Sequence, residues 1–186
     1  RGDLQAALAD YSKAVALDPD GLDALVAQAG VLIDLGRLEE AERALADLEK
    51  IAPGEPYAAY MRAVLASRKD DAEGMRKELT TVVKTLDLVL KDALVWHGQA
   101  LLLGALAHHS LGNIEASVLY LDRYVKAHPT RVGPRKLLAS IYVDQGKNRR
   151  AVDMLEPMLQ SAPNDMQVLS LLASARMAQG RHFEAV

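Results

Sequence analysis

The tripeptide Gly36-Arg37-Leu38 lies between two stretches rich in alanine and leucine, and related triplets recur along the chain. The others are Gly2-Asp3-Leu4, Gly112-Asn113-Ile114, Gly146-Lys147-Asn148 and Gly180-Arg181-His182. The sequence numbers of their glycines differ in turn by 34, 76, 34 and 34, and 76 is two periods of 34 plus eight. A glycine between two apolar stretches provides the left-handed residue that ends one helix and lets the chain reverse. The spacing therefore predicts one helical hairpin for each period.

Other sets of residues share this period. The prolines are Pro19, Pro53, Pro129 and Pro163, and each is expected to stop the second helix of a hairpin. The alanines are Ala29, Ala63, Ala105, Ala139 and Ala173. A set of large residues consists of Tyr11, Leu45, Leu79, Leu121 and Leu155. A last set, expected to make equivalent close contacts on the second helices, consists of Ala7, Ala41, Met75, Ser117 and Ala151.

Eight additional residues interrupt the period between Leu79 and Ala105. This part of the chain lacks the proline that ends the other second helices and has Asp87 at that position. Eight residues correspond to about two helical turns. The insertion either lengthens a hairpin that still packs against its neighbours or protrudes and docks a partner.

The pattern resembles the tetratricopeptide repeat (TPR) family, whose period of about 34 residues, turn glycine, small alanine and terminal proline match the sets above. The resemblance implies an all-α fold, an α-solenoid of helix-turn-helix repeats that forms a right-handed superhelix. We expect a single domain over 1–186. It would contain a partial repeat over 1–21, full repeats over about 22–55, 56–97, 98–131 and 132–165, and a partial repeat over 166–186. The incomplete repeats suggest a fragment of a longer protein.

A narrower resemblance rests on several short segments. They are the run from Leu101 to His109, Gly112 to Glu115, Tyr120 to Val125, Arg135 to Ala139 and Met154 to Leu159. These segments are similar to TPR proteins of bacterial exosortase and exopolysaccharide export systems. That resemblance implies an envelope protein of a Gram-negative bacterium, with a periplasmic location favoured over a cytoplasmic one.

Composition restricts the possible chemistry. The chain has 186 residues, 50% of them hydrophobic, and no cysteine, which excludes disulfides, thiol nucleophiles and zinc–thiolate sites. Its longest uncharged run, Ala93 to Ile114, contains several histidine and amide side chains and is too polar to span a membrane. The net charge of −3 is uneven, because residues 1–56 carry 5 basic and 12 acidic side chains. This asymmetry indicates a polar partner surface.

No motif for catalysis, a cofactor or a metal is present. The five histidines are His97, His108, His109, His128 and His182. Adjacent helical residues point about 100° apart, so His108 and His109 cannot hold one ion together. A basic set, Arg131, Arg135, Lys136, Lys147, Arg149 and Arg150, lacks the interleaved aromatic residues typical of nucleic-acid binding. It is either a solvated ridge with ion pairs or a site for an acidic peptide.

We therefore predict a non-catalytic scaffold that binds a protein or a peptide. In TPR proteins the first helices line a concave groove, and the resemblance places a set of eleven residues there. They are Tyr57, Tyr60, Met61, Val64, Arg68, Gln99, Leu102, Leu106, His109, Lys136 and Ser140. The apolar members either bind the partner or cover neighbouring helices. The alternative function is a regulatory or substrate-recruiting arm of a larger enzyme, and apolar residues near the ends also predict self-association.

Overall fold

The structure is a computed structural model that describes residues 2–90 and 98–180. In these residues all regular elements are α-helices. They are α1 (Gly2–Leu17), α2 (Leu22–Asp34), α3 (Leu38–Ile51), α4 (Pro56–Arg68), α5 (Ala72–Leu90), α6 (Gly98–Ser110), α7 (Ile114–Ala127), α8 (Val132–Asp144), α9 (Asn148–Ser161) and α10 (Met166–Ala178). This confirms the all-α helical-repeat fold.

The chain divides into two compact units, residues 1–93 and 94–186. In the first unit each of α2, α3, α4 and α5 contacts the helix before it, and α2 also contacts α4. In the second unit α6 to α10 contact in sequence, and α8 also contacts α10. The first helices α2 and α4 therefore lie side by side in the first unit, as do α8 and α10 in the second. The single domain and the handedness of a superhelix stay predictions.

The turns inside the hairpins use left-handed backbone. Gly36, Gly112, Gly146 and Gly180 have φ between 69° and 78°. In the hairpin without a turn glycine, Asp70 takes the same role with φ of 58°, a conformation that aspartate tolerates better than most residues. At the start of the chain the prediction was wrong, because Gly2 already belongs to α1.

Proline sets the length of the second helices. Four of them, α1, α3, α7 and α9, end two residues before Pro19, Pro53, Pro129 and Pro163. The remaining one, α5, has no such proline and extends to Leu90, giving 19 residues where α3 has 14. In this extension Leu86 is buried but Leu88 is exposed, so both alternatives for the insertion stay predictions. The rest of the insertion, residues 91–97, lies outside the described residues.

Small side chains lie where the helices of a hairpin approach each other. Ala41, Ser117 and Ala151 are completely buried, and the Ser117 hydroxyl donates a hydrogen bond of 2.9 Å to the Ala105 carbonyl. The equivalent Ala7 and Met75 are only half-buried, so the close contact at these two positions stays a prediction. Methionine is too large for a close helix approach, and α1 has a neighbour on one side only among the described helices.

Candidate binding face on the first helices

The helix α4 carries a stripe of large side chains opposite its buried face. Its core contacts are made by Ala58, Ala59, Ala63 and Leu65, the first three being small enough for close helix packing. The α4 stripe consists of Tyr57, Tyr60, Met61, Val64 and Arg68. At about 100° per residue, these five positions centre almost 180° from the buried alanines. The α4 stripe is thus directed away from the three buried alanines, whereas the buried Leu65 lies nearer to its edge.

The α4 stripe is less exposed than the sequence suggested. Arg68 is exposed, whereas Tyr57, Tyr60, Met61 and Val64 are half-buried. Burial also raises the pKa of the Tyr60 hydroxyl. Each of these four side chains therefore covers a neighbouring surface with one part and offers the rest to solvent, and binding of a partner by them stays a prediction.

The helix α2 lies beside α4 and completes the face in the first unit. Val26 and Gly30 are half-buried and one turn apart on α2. A Cβ atom placed on Gly30 would lie 3.5 Å from the sulfur of Met61. We call this pair of helix surfaces the α2–α4 face.

In the second unit the predicted residues lie on α6 and α8. On α6, Gln99 and His109 are exposed, and Leu102 and Leu106 between them are half-buried. Their spacing of three and four residues places them on one side of the helix. Because this set belongs to a different unit from the α4 stripe, a groove that joins both sets stays a prediction.

Lys136 on α8 is occupied by an internal ion pair. Its ammonium lies 2.5 Å from the carboxylate of Asp165, the N-cap residue of α10, and both side chains are mostly buried. The Asp165 carboxylate also accepts hydrogen bonds from the backbone N–H groups of Gln167 and Val168. The hydrogen bond with Lys136, then that from the Val168 N–H, hold the pKa of Asp165 below its usual range. Lys136 therefore fastens α8 to α10, while Ser140 one turn later is half-buried.

The basic set predicted on the second unit is partly structural. The Arg135 guanidinium donates hydrogen bonds of 3.1 and 2.8 Å to the carbonyls of Pro129 and Met154. Arg150 lies 5.8 Å from the centre of the Tyr142 ring, a cation–π distance. Arg149 is exposed. The structure thus supports a solvated ridge with internal contacts at Arg135, Lys136 and Arg150.

The histidines lie in different environments. His108 is buried, with its ring 5.2 Å from that of Tyr120, whereas the adjacent His109 is exposed. The His128 ring lies 4.7 Å from that of Tyr124. His97 and His182 lie outside the described residues. Within residues 2–90 and 98–180, no cluster of three His, Cys, Asp or Glu side chains could hold a metal ion.

One ion-pair network was not anticipated from the sequence. The Arg62 guanidinium on α4 lies 2.7 Å from a carboxylate oxygen of Glu49 and 2.9 Å from one of Glu78. It thereby connects α3, α4 and α5. The sequence gives only a weak indication of this network. Arg62 is next to Ala63, a core residue, and an arginine that is partly buried there requires charged partners. None of the described helices has both the length and the apolar character of a membrane span.

Comparisons with known proteins agree with this architecture. Cellulose synthase operon protein C from Pseudomonas fluorescens (strain SBW25) is 26% identical over 193 residues, covering 100% of this chain. The chain spans only 15% of that protein's length. Among solved structures, a thermophilic TPR protein in Thermus thermophilus matches with a TM-score of 0.69 and 21% identity over 95% of this chain and 92% of that one. YrrB, a TPR protein with an unusual peptide-binding site, matches with a TM-score of 0.65 and 12% identity, covering 95% and 87%.

Two family models also match the sequence. Both are described as tetratricopeptide repeats, and they match residues 1–65 and 136–186, together more than half of the chain. The TPR fold is generally a non-catalytic scaffold, and this chain is consistent with a protein-binding role. Its helical hairpins, their regular period and the matched stretches lead to one conclusion. The chain belongs to the tetratricopeptide-repeat family.

Proposed function

We propose that this chain is a non-catalytic scaffold that binds a protein or a peptide on the first helices of its repeats. One observation carries the proposal, namely that the α4 stripe combines two tyrosines, a methionine and an arginine on the side opposite the buried alanines of α4. These residue types are enriched at interfaces, and tyrosine and arginine are enriched at binding hot spots. Half-burial restrains the two tyrosines and the methionine and so reduces the entropy that these side chains lose on binding.

We further propose that the partner belongs to a bacterial system that makes or exports an exopolysaccharide. The likeness to cellulose synthase operon protein C supports this, because it extends over the whole of this chain. The function would be exercised within a longer protein of the cell envelope. Deleting the coding region in the host and staining the colonies for secreted polysaccharide tests the pathway, and unchanged staining and polymer yield would count against it.

Site-specific crosslinking tests the binding face. A photoreactive phenylalanine derivative replaces Tyr60 in the protein produced by its host, and the same residue replaces Asp47, an exposed position of α3, as the control. We expect a discrete crosslinked protein from the position of Tyr60 and none from Asp47. Crosslinking of the same protein at Asp47 alone would place the interface on the second helices and refute the proposal.

Titration of the purified, crosslink-identified partner then measures the contribution of the face. Truncating Tyr60 to Ala should cost about 2 kcal/mol or more of binding free energy if it is a hot spot. Because Tyr60 is half-buried, circular dichroism must show that the variant is folded. Arg149→Ala, on α9, is the control. A loss of affinity in the control without a loss in the Tyr60 variant would move the site to the basic residues of α9.

A further inference from the structure

Gly30 leaves an opening in α2 that the packing of the helices does not require. A glycine in the middle of a helix is less stable than alanine by about 0.5–1 kcal/mol. At Gly104 there is a steric reason for glycine, since an added Cβ would overlap the Tyr120 ring. At Gly30 the described part of the chain brings only the Met61 sulfur within 4 Å of such an atom, at an ordinary contact distance of 3.5 Å. Close approach of a ligand to the backbone is one of the uses that glycine has in proteins.

The surroundings of this opening are apolar. Val26 precedes Gly30 by one turn of α2, and Val64 occupies the position of α4 that is equivalent to Gly30, one period later. Val26, Met61 and Val64 all pack with part of their surface against the core of the first unit. We call the surface at Gly30 that Met61 adjoins, on the side of α2 and α4 that carries Val26 and Val64, the Gly30 notch. Its apolar lining suits an aliphatic side chain.

Acidic side chains lie on the same side of α2 as the notch. Asp23 and Asp34 are seven residues before and four residues after Gly30, which places both within about 40° of it around the helix. Both are exposed, and neither forms an ion pair with a described residue. Arg68 is the exposed cation at the end of α4, so carboxylates outnumber cations here. The surrounding segment is also acidic, because residues 1–56 carry 12 acidic and 5 basic side chains.

We infer that the ligand of the α2–α4 face is a basic peptide segment that inserts one aliphatic side chain into the Gly30 notch and faces Asp23 and Asp34 with lysine or arginine. The inference rests on the proposed function and adds the chemical class of the ligand. The aliphatic anchor contributes the contact with Met61 and the two valines. The basic residues contribute charge complementarity, which mainly raises the association rate and selects against acidic partners.

Fluorescence anisotropy with synthetic peptides tests the chemistry on the purified chain. Three dye-labelled peptides of equal length are compared: one with a central leucine flanked by lysines, one with the same leucine flanked by glutamates, and one with lysines around a central serine. We expect the lysine–leucine peptide to bind at least about tenfold more tightly than either of the others. Its affinity should fall as salt is added, because the contributing charges are exposed.

Variants of the face locate the binding. Gly30→Ala places a methyl group in the notch without a clash. It should weaken binding of the lysine–leucine peptide by about tenfold, the effect expected when one methyl-sized contact is lost. The double variant Asp23→Asn, Asp34→Asn should weaken binding of this peptide by about five- to tenfold, because two exposed charge pairs are lost, and should flatten the salt dependence. The matched control, Glu39→Gln with Glu73→Gln, removes two exposed charges from α3 and α5 and should leave the affinity unchanged.

The outcomes separate this inference from the proposed function. Equal affinity for the lysine–leucine and glutamate–leucine peptides, with Gly30→Ala weakening both, would overturn the ligand chemistry but leave the α2–α4 face as the binding site. Absence of saturable binding by the lysine–leucine peptide at low salt would overturn the inference, whatever protein is crosslinked at Tyr60. Binding that neither Gly30→Ala nor Tyr60→Ala changes would contradict both the inference and the proposed face.

Discussion

Gly104→Ala and Gly30→Ala should change stability in opposite directions, although both replace a glycine inside a first helix. Alanine gains about 1 kcal/mol over glycine in a helix interior when nothing obstructs the new methyl group. At Gly30 nothing does, because the nearest atom is the Met61 sulfur at 3.5 Å. We therefore expect Gly30→Ala to increase the free energy of unfolding by about 0.5–1 kcal/mol.

At Gly104 the same methyl group would collide with a buried ring. It would lie 2.6 and 3.0 Å from two carbon atoms of Tyr120 and closer still to a third. Tyr120 is 2% exposed and its ring lies 5.2 Å from that of His108, so the ring has little room to move. Overpacking of this kind costs about 1–3 kcal/mol. After subtraction of the helix-propensity gain, we expect Gly104→Ala to destabilise the protein by up to about 2 kcal/mol.

Urea unfolding followed by circular dichroism measures both changes. A double-mutant cycle with Tyr120→Leu identifies the cause, because the smaller side chain makes room for the methyl group at Gly104. The two substitutions should therefore couple by about 1 kcal/mol or more, the combined variant being more stable than the sum of the single effects. Equal signs for the two glycine variants, or additivity in the cycle, would refute this account of the α6–α7 contact.

Three other predictions follow from described contacts. Ala151→Leu should destabilise the α8–α9 hairpin by about 1–3 kcal/mol, because Ala151 is completely buried; an unchanged melting temperature would contradict the repeat register. Arg62→Ala should lower the free energy of unfolding of the first unit by about 2 kcal/mol, measured by urea unfolding. The cost is smaller than for breaking a fully buried ion pair because the two carboxylate partners of Arg62 remain partly hydrated. A change below about 0.5 kcal/mol would argue against the network. Asp165→Asn should destabilise the protein at neutral pH. Since the folded pKa of Asp165 is lowered, its contribution is complete above the unfolded value of about 4 and is lost as pH falls through the folded pKa. The difference between wild type and variant should therefore shrink in urea unfolding below about pH 4, and a constant difference would mean that Lys136 does not stabilise the carboxylate.

Most of the fold could be predicted from the sequence because its determinants are local. The left-handed turn at Gly36 depends on one residue, and the end of a helix two residues before Pro53 depends on one ring without an N–H group. Both signals recur with the repeat period, so each occurrence confirms the phase of the next. The sequence also placed the α4 stripe on one side of its helix, since helical spacing alone determines which side chains share a face.

Contacts between helices were decided only by the tertiary structure. Lys136 has the helical position of a groove residue, yet its ammonium forms an ion pair with Asp165, which is nearly one repeat away in the sequence. The Gly30 notch depends on where Met61 lies on the neighbouring helix, and the steric need for glycine at Gly104 depends on Tyr120. Spacing along a chain determines the direction of a side chain but not which atom of another helix it meets. That depends on the distance and rotation at which two helices pack, and these are properties of the whole repeat interface.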